Sequence, residues 1–289
     1  MNTFRDLFQS GLYWPGVVVA LVVSVGAGLL SVPVVLKRLA FIGQGVSHAA
    51  FGGVGLAAVL GLAAGSAASD AGMLGVVSAF CIAAALGISW LSERSRVQTD
   101  TAIGIVLAVS MGVGFLLLRH AAEVAPPGSR PPGVESVLFG SLLTVRWIDA
   151  IIGSAAMAGV VVALWWVRRP MLFWAFDDSA SGAFGVRDGV MKTMLLLLLA
   201  VTVIVTMKLA GVVLTTALLV LPGAIALRLS DRLSVVLGAS VGAAVLGVLG
   251  GVVVSLELDW QTGPAIVLVL AALYGVAWAA GSVLRRAGS

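Results

Sequence analysis

Gln44 and His48 are the residues of this chain whose types and spacing best suit chemistry. Imidazole is the commonest protein ligand for zinc-like metals. An amide oxygen is a neutral, weaker donor that accepts a cation or one of its waters. Four residues apart, the two share one face of a helix. They lie at the start of an apolar stretch, Val46 to Ala64, within a Gly-rich turn running Phe41-Ile42-Gly43-Gln44-Gly45-Val46-Ser47-His48. Polar ionisable groups inside a membrane are costly and usually line a pathway or a cavity. The plainer alternative is a structural His48, hydrogen-bonded to a neighbouring helix. Gln44 either touches an ion or only positions a water or His48, and Ser47 is expected to bond back to its own helix. The second of the two histidines, His120, falls among polar residues after a span.

Composition places this pair in a bilayer. Hydrophobic residues make up 60% of the 289 and charged residues 10%, against about a quarter charged in a soluble domain. The chain therefore reads as a single polytopic membrane domain, 1–289, with no soluble domain of useful size. The 36 glycines fit membrane helices, which use small residues to approach closely. The lone Cys81 excludes a disulfide framework and a cysteine zinc site. The net charge of +4 does not suggest nucleic acid, because the basic residues cluster at span ends. The first apolar run is too long for a removable signal peptide and lacks its cleavage site.

A spanning helix needs roughly 20 largely apolar residues. Nine runs come within a few residues of that: 17–36, 46–64, 73–91, 102–118, 150–167, 190–207, 209–227, 234–256 and 263–284. The expectation is an all-α protein of about nine transmembrane helices, eight to ten being possible. The sixth and seventh runs meet at Lys208-Leu209-Ala210-Gly211 almost without a loop, so a hairpin of two spans and one kinked helix both fit 190–227. Val134–Val145 is too short to cross and reads as interfacial or re-entrant. Basic residues divide 12 to 5 between the two sets of loops, and the richer set, from Lys37 to Arg286, should be cytoplasmic. That puts the N-terminus outside and the C-terminus inside.

Lesser features follow the same logic. In the inner segment 168–192, Asp177 is a good N-cap for a short helix and Gly185 can supply its left-handed stop. Phe176, Ala180 and Phe184 recur every four residues as an apolar stripe suited to a partner's groove. Asp100 should cap the fourth span, and Lys208 should snorkel at the outer edge. Gly238/Gly242 and Gly247/Gly251 signal close helix packing, within the chain or between chains.

Four stretches together resemble the permease subunits of bacterial metal-ion ABC importers, the zinc/manganese/iron uptake family. Arg38 to Ala50 looks like its Arg-x-x-x-x-Gly-Asp-x-x-Ser-His-Ala element. Asp100-Thr101-Ala102-Ile103-Gly104 and Leu138-Phe139-Gly140-Ser141-Leu142-Leu143 resemble two others, and Lys208 to Ala224 resembles its Lys-Val-Gly…Ala-Leu-Leu-x-x-Pro-Ala run. The likeness covers about Val32 to Leu270. The chain departs from the pattern at Gln44, where the family usually has aspartate, and at Gln261, where proline is common. The resemblance implies a permease homodimer in the bacterial cytoplasmic membrane, a separate cytoplasmic ABC ATPase pair, and an extracytoplasmic metal-binding protein. It also implies that His48 belongs to the metal path, with Gln44 standing at the family's aspartate position beside it, and that the segment of Phe176, Asp177, Ala180, Phe184 and Gly185 is the coupling helix docking in the ATPase.

The expected function is therefore permeation of a divalent metal ion, zinc ahead of manganese, with no permanently bound cofactor and no covalent chemistry. None of the three lysines lies in a phosphate-binding Gly-x-x-x-x-Gly-Lys loop, so ATP must be handled elsewhere. The alternatives are an ABC permease for a siderophore or cobalamin chelate, and a stand-alone ion-driven carrier or metal channel. No Asp or Glu lies within any of the nine runs, which counts against a proton-coupled carrier. An intramembrane metalloenzyme would need a chelating set such as His-Glu-x-x-His.

Overall fold

A computed structural model describes residues 14–62, 67–94, 97–124 and 145–287, and every element among them is a helix. In chain order these are α1 (Trp14–Leu36), α2 (Ile42–Val59), α3 (Ala67–Arg94), α4 (Thr99–Val124), α5 (Trp147–Phe176), α6 (Asp178–Ala183), α7 (Asp188–Leu229), α8 (Leu233–Leu258) and α9 (Thr262–Ala287). Seven segments are long and apolar enough to cross a membrane; among them is Asp188–Met207, the first part of α7. The second part, Val213–Leu229, is shorter, and α2, at 18 residues, carries Gln44 and His48 in its first turns. The Pro-rich loop, the Leu138–Leu143 stretch and all but the last residue of the expected interfacial piece, Val145, lie outside the described residues.

Several helices outrun their apolar runs. α4 continues past Arg119 and His120 to Val124, supported by an i,i+4 pair in which Arg119 Nε lies 3.1 Å from Glu123 Oε1. α5 continues past Arg168, Arg169 and Pro170 to Phe176. Apolar length measures how far a helix stays in lipid, whereas a helix ends only where its backbone pairing stops. Likewise α2 starts at Ile42, so the Gly-rich stretch expected as a turn is already helical. Asp100 sits inside the first turn of α4, which begins at Thr99, and so favours the positive helix end without being the cap.

α7 resolves the choice between hairpin and kink. Gly211, at φ 79° and ψ 173°, is the one residue inside it with non-helical dihedrals, in a region glycine adopts without a side-chain clash. A straight helix would hold Asp188 and Gly223 about 52 Å apart. Both instead lie near the same end of α1, Gly223 by direct contact and Asp188 through Trp174. The Trp174 indole Nε1 donates to Asp188 Oδ1 at 2.6 Å, and Lys37 Nζ lies 4.1 Å from the centre of the Trp174 ring. Six residues back, Ser31 Oγ accepts from Gly223 N at 2.7 Å and lies 3.2 Å from Val220 O. The chain therefore reverses at Gly211, and the two parts of α7 run antiparallel. Thr215 Oγ1 donates to the Gly211 carbonyl at 2.9 Å, helping to hold the break.

This hairpin is the hub of the bundle, touching α1, α2, α3, α5, α8 and α9. Leu195, Leu196, Leu199, Ala200 and Val203 on its first part are wholly buried. Apolar side chains gain little by leaving lipid, so close packing and interhelical hydrogen bonds must join the helices. Ser240 Oγ, for instance, donates to the Gly28 carbonyl at 2.7 Å, tying α8 to α1. Gly247 and Gly251 are the close approach of α8 to Leu270 and Ile266 of α9, whereas Gly238 and Gly242 face open space. The first small-residue step found in the sequence thus has no packing partner among the described residues, and the second is spent internally.

Candidate metal path and coupling segment

Thirteen of the 18 residues of α2 are buried. Through its first three turns the exceptions are Gln44 and His48, both half-buried. Neighbouring helices explain this pattern. Gly43 packs against Leu219 and Thr216 of the second part of α7, Gly45 against Ile103 of α4, and Gly53 against Val77 of α3. Side chains at those positions would collide or force the neighbours apart, with an added Cβ at Gly45 only 2.7 Å from Ile103 Cγ2. The helix is therefore enclosed on three sides, and the polar stripe occupies the side left open. The structure brings Gln44 and His48 to one face, as their spacing predicts. His120 lies exposed in the last turns of α4 and takes no part.

Ser47 departs from expectation. Its Oγ is buried without a hydrogen-bond partner among the described residues, and the side chain is 0% exposed. Elsewhere the chain follows the usual habit of helical hydroxyls: Ser24 donates to Leu21 O at 2.7 Å, Thr202 to Leu198 O at 2.9 Å and Thr206 to Thr202 O at 2.6 Å. Leaving a buried hydroxyl unsatisfied costs about 1–3 kcal/mol. That cost is a signal that a list of residue types does not carry.

The donor set on α2 is thin. Among the described residues no group of three or more His, Cys, Asp or Glu is placed to hold a metal. One imidazole and one neutral amide suit an ion that must arrive and leave, since conduction requires binding weak enough for release. Tight storage would need a fuller shell.

The second set of candidate residues sits where α5 gives way to α7. Phe176 ends α5. Asp177 turns extended, at φ −137° and ψ 96°, and its Oδ1 accepts from Ala180 N at 2.9 Å, the N-cap of α6. Gly185 stops the segment at φ 81°. The expected single stripe is broken, because the extended Asp177 separates Phe176 from Ala180 and Phe184. Phe184 is 79% exposed and Phe176 46%, while the Phe184 ring meets Phe173 edge-on at 5.7 Å. An aromatic pair thus stands at the surface in place of a helical stripe. Segment 168–192 comprises the last turns of α5, all of α6 and the first turn of α7.

Sequence reasoning missed the residues that anchor this segment. Trp174 and Asp188 bracket α6 and hydrogen-bond to each other, with Lys37 stacked on the indole. Lys192 Nζ donates to Ser92 Oγ at 2.6 Å and Thr99 Oγ1 at 2.9 Å, pinning the start of α7 to the end of α3 and the start of α4. Only long-range pairing reveals these roles; in the sequence Lys37 and Lys192 stand out merely as charges at span ends.

The sequence model of the ABC 3 transport family matches residues 10–281. The chain belongs to that family. It is accordingly a multi-pass membrane permease of an ABC transport family. A probable iron transport system membrane protein of Haemophilus influenzae is 30% identical over 92% of this chain and 93% of its own length. The manganese transport system membrane protein MntC of Halalkalibacterium halodurans is 29% identical, covering 95% and 89%. The zinc transport system membrane protein TroC of Treponema pallidum is 31% identical, covering 93% and 89%. The fold is similar to that of PsaBC from Streptococcus pneumoniae, solved in complex with Fab, with a TM-score of 0.78 at 24% identity over 96% of this chain and 94% of that one.

Proposed function

We propose that this chain is the membrane-spanning half of an ATP-driven importer of a bare divalent transition-metal ion, with zinc favoured over manganese. The observation that carries this reading is the half-open Gln44–His48 stripe on a helix otherwise enclosed by its neighbours. In a permease dimer two such stripes face a shared wet path, and their imidazoles replace part of the ion's hydration shell. A separate pair of cytoplasmic ABC ATPase subunits docks on the Phe176–Val186 segment, and an extracytoplasmic metal-binding protein delivers the ion. Membership of an ABC family argues against a stand-alone carrier. The two-residue donor set favours a bare ion over a bulky chelate.

Coupling between the two sites has a physical route. Movement of α6 is felt by Trp174, whose indole is shared by Asp188 and Lys37. Lys37 opens the short turn, with Arg38 left-handed at φ 55°, that leads into α2. A shift of that turn tilts the helix bearing Gln44 and His48.

The donor chemistry sets the metal preference. Imidazole suits zinc, manganese prefers carboxylate and carbonyl oxygen, and zinc stands above manganese in the general affinity order. Gln44→Asp adds a charge one turn from His48 and is expected to shift the zinc-to-manganese uptake ratio several-fold towards manganese. The measurement is radiotracer uptake of both ions in cells lacking other importers. An unchanged ratio and rate would show that Gln44 does not meet the ion.

The same reading places nine crossings in the membrane, with the N-terminus outside and the hairpin tip at Gly211 towards the outer face. Reporter fusions after Leu36 should read inside, and fusions within the Pro126–Pro132 loop outside. An inside signal from that loop would invert the map.

A further inference from the structure

We infer that the Ser47 hydroxyl is a third polar group of the ion path, which hydrogen-bonds the hydration shell of the cation passing Gln44 and His48. The inference rests on the proposed metal path, but its starting observation is separate. Ser47 Oγ is buried and unpartnered among the described residues, although the carbonyl of Gly43 lies four residues back in the same helix, where other hydroxyls of this chain find their acceptors. Something other than helix propensity holds a serine there, because alanine would fill the position without an orphaned group.

Its placement says what that is. At about 100° per residue, Ser47 lies about 60° from Gln44 and about 100° from His48 around the helix axis. It stands one turn beyond Gly43, which abuts Leu219 and Thr216 of α7. Ser47 thus flanks the open stripe on the side where α2 meets the second part of the hairpin. A hydroxyl both donates and accepts, so it serves waters around the ion without adding charge. Rotation about χ1 between staggered positions redirects Oγ with little backbone movement. A hydrated ion standing at His48 would offer one of its waters as the partner that the described residues do not supply. Ser47 is therefore a positioning residue for the cargo's water.

The test compares Ser47→Ala, Ser47→Thr and His48→Ala in the complete transporter, with its own ATPase and binding protein, in cells lacking other zinc importers. Zinc uptake against concentration and thermal stability of the purified permease are both read. Ser47→Ala is expected to reduce uptake threefold to tenfold while melting at or above the wild-type temperature, and Ser47→Thr, which keeps the hydroxyl, to recover at least half of it. A structural serine would instead lose stability in step with uptake, and that result overturns the inference. So does wild-type uptake by Ser47→Ala when His48→Ala is inactive. If His48→Ala transports normally, the metal path itself fails, and the Ser47 inference falls with it.

Discussion

His48→Ala should reduce metal uptake by at least about a hundredfold while the protein inserts and melts as the wild type does. Losing a residue that merely orients a metal ligand costs 10–100-fold, and the role proposed for His48 is that of a direct donor. A hundredfold loss corresponds to about 2.7 kcal/mol. Alanine offers neither nitrogen nor hydrogen bond, so an ion passing α2 would shed water with nothing in exchange. The half-buried position limits the structural penalty, because the side chain already borders open space and no tight cavity is left behind. Uptake with purified, correctly inserted protein is the measurement. Wild-type rates from His48→Ala would make the imidazole a packing group and remove the metal path from this face of α2.

That face was legible in the sequence because its signal is local. Spacing alone puts Gln44 and His48 one turn apart, and a histidine in an apolar run is rare enough to be noticed. Asp177 and Gly185 were equally legible, since a cap and a left-handed stop are set by single residues. The helical class followed from composition and apolar run length. What escaped the sequence depends on distant partners. Nothing around Ser31 announces that it meets Gly223, 192 positions later. Trp174 reads as one more interfacial aromatic until its indole is found between Asp188 and Lys37.

Boundaries failed for a different reason. Hydropathy reports where lipid begins, yet α4 and α5 continue as helix beyond it, with Met171, Trp174 and Ala175 of α5 still buried, so the inner segment is shorter as a loop than its charges imply. The stripe Phe176–Ala180–Phe184 failed because periodicity assumed one continuous helix. The cap that starts α6 is the same residue that ends α5, and an extended Asp177 cannot preserve helical register across it. The reversal at Gly211 was left open in the sequence because a hairpin and a kink share the same residues. What distinguishes them is that Gly223 directly, and Asp188 through Trp174, are tied to the same end of α1.

The broken stripe sharpens the expected result of Phe184→Asp. Phe184 is the most exposed aromatic of the segment, at 79%, and its ring meets Phe173 edge-on. Losing that pair costs about 0.5–1.5 kcal/mol, too little to unfold a bundle held by the α7 hub. Docked in an ATPase groove, however, an aspartate would be a buried, unpaired charge, with a penalty of several kcal/mol. ATP-driven uptake is therefore expected to fall at least tenfold, with the ATPase no longer co-purifying at wild-type yield, while the melting temperature of the isolated permease moves by only a few degrees. Phe184→Leu, which keeps an apolar side chain at the same place, should retain most of the uptake and the association. Normal uptake and normal co-purification from Phe184→Asp would take the docking role away from this aromatic pair. The ATPase contact would then have to lie on another part of the protein's surface.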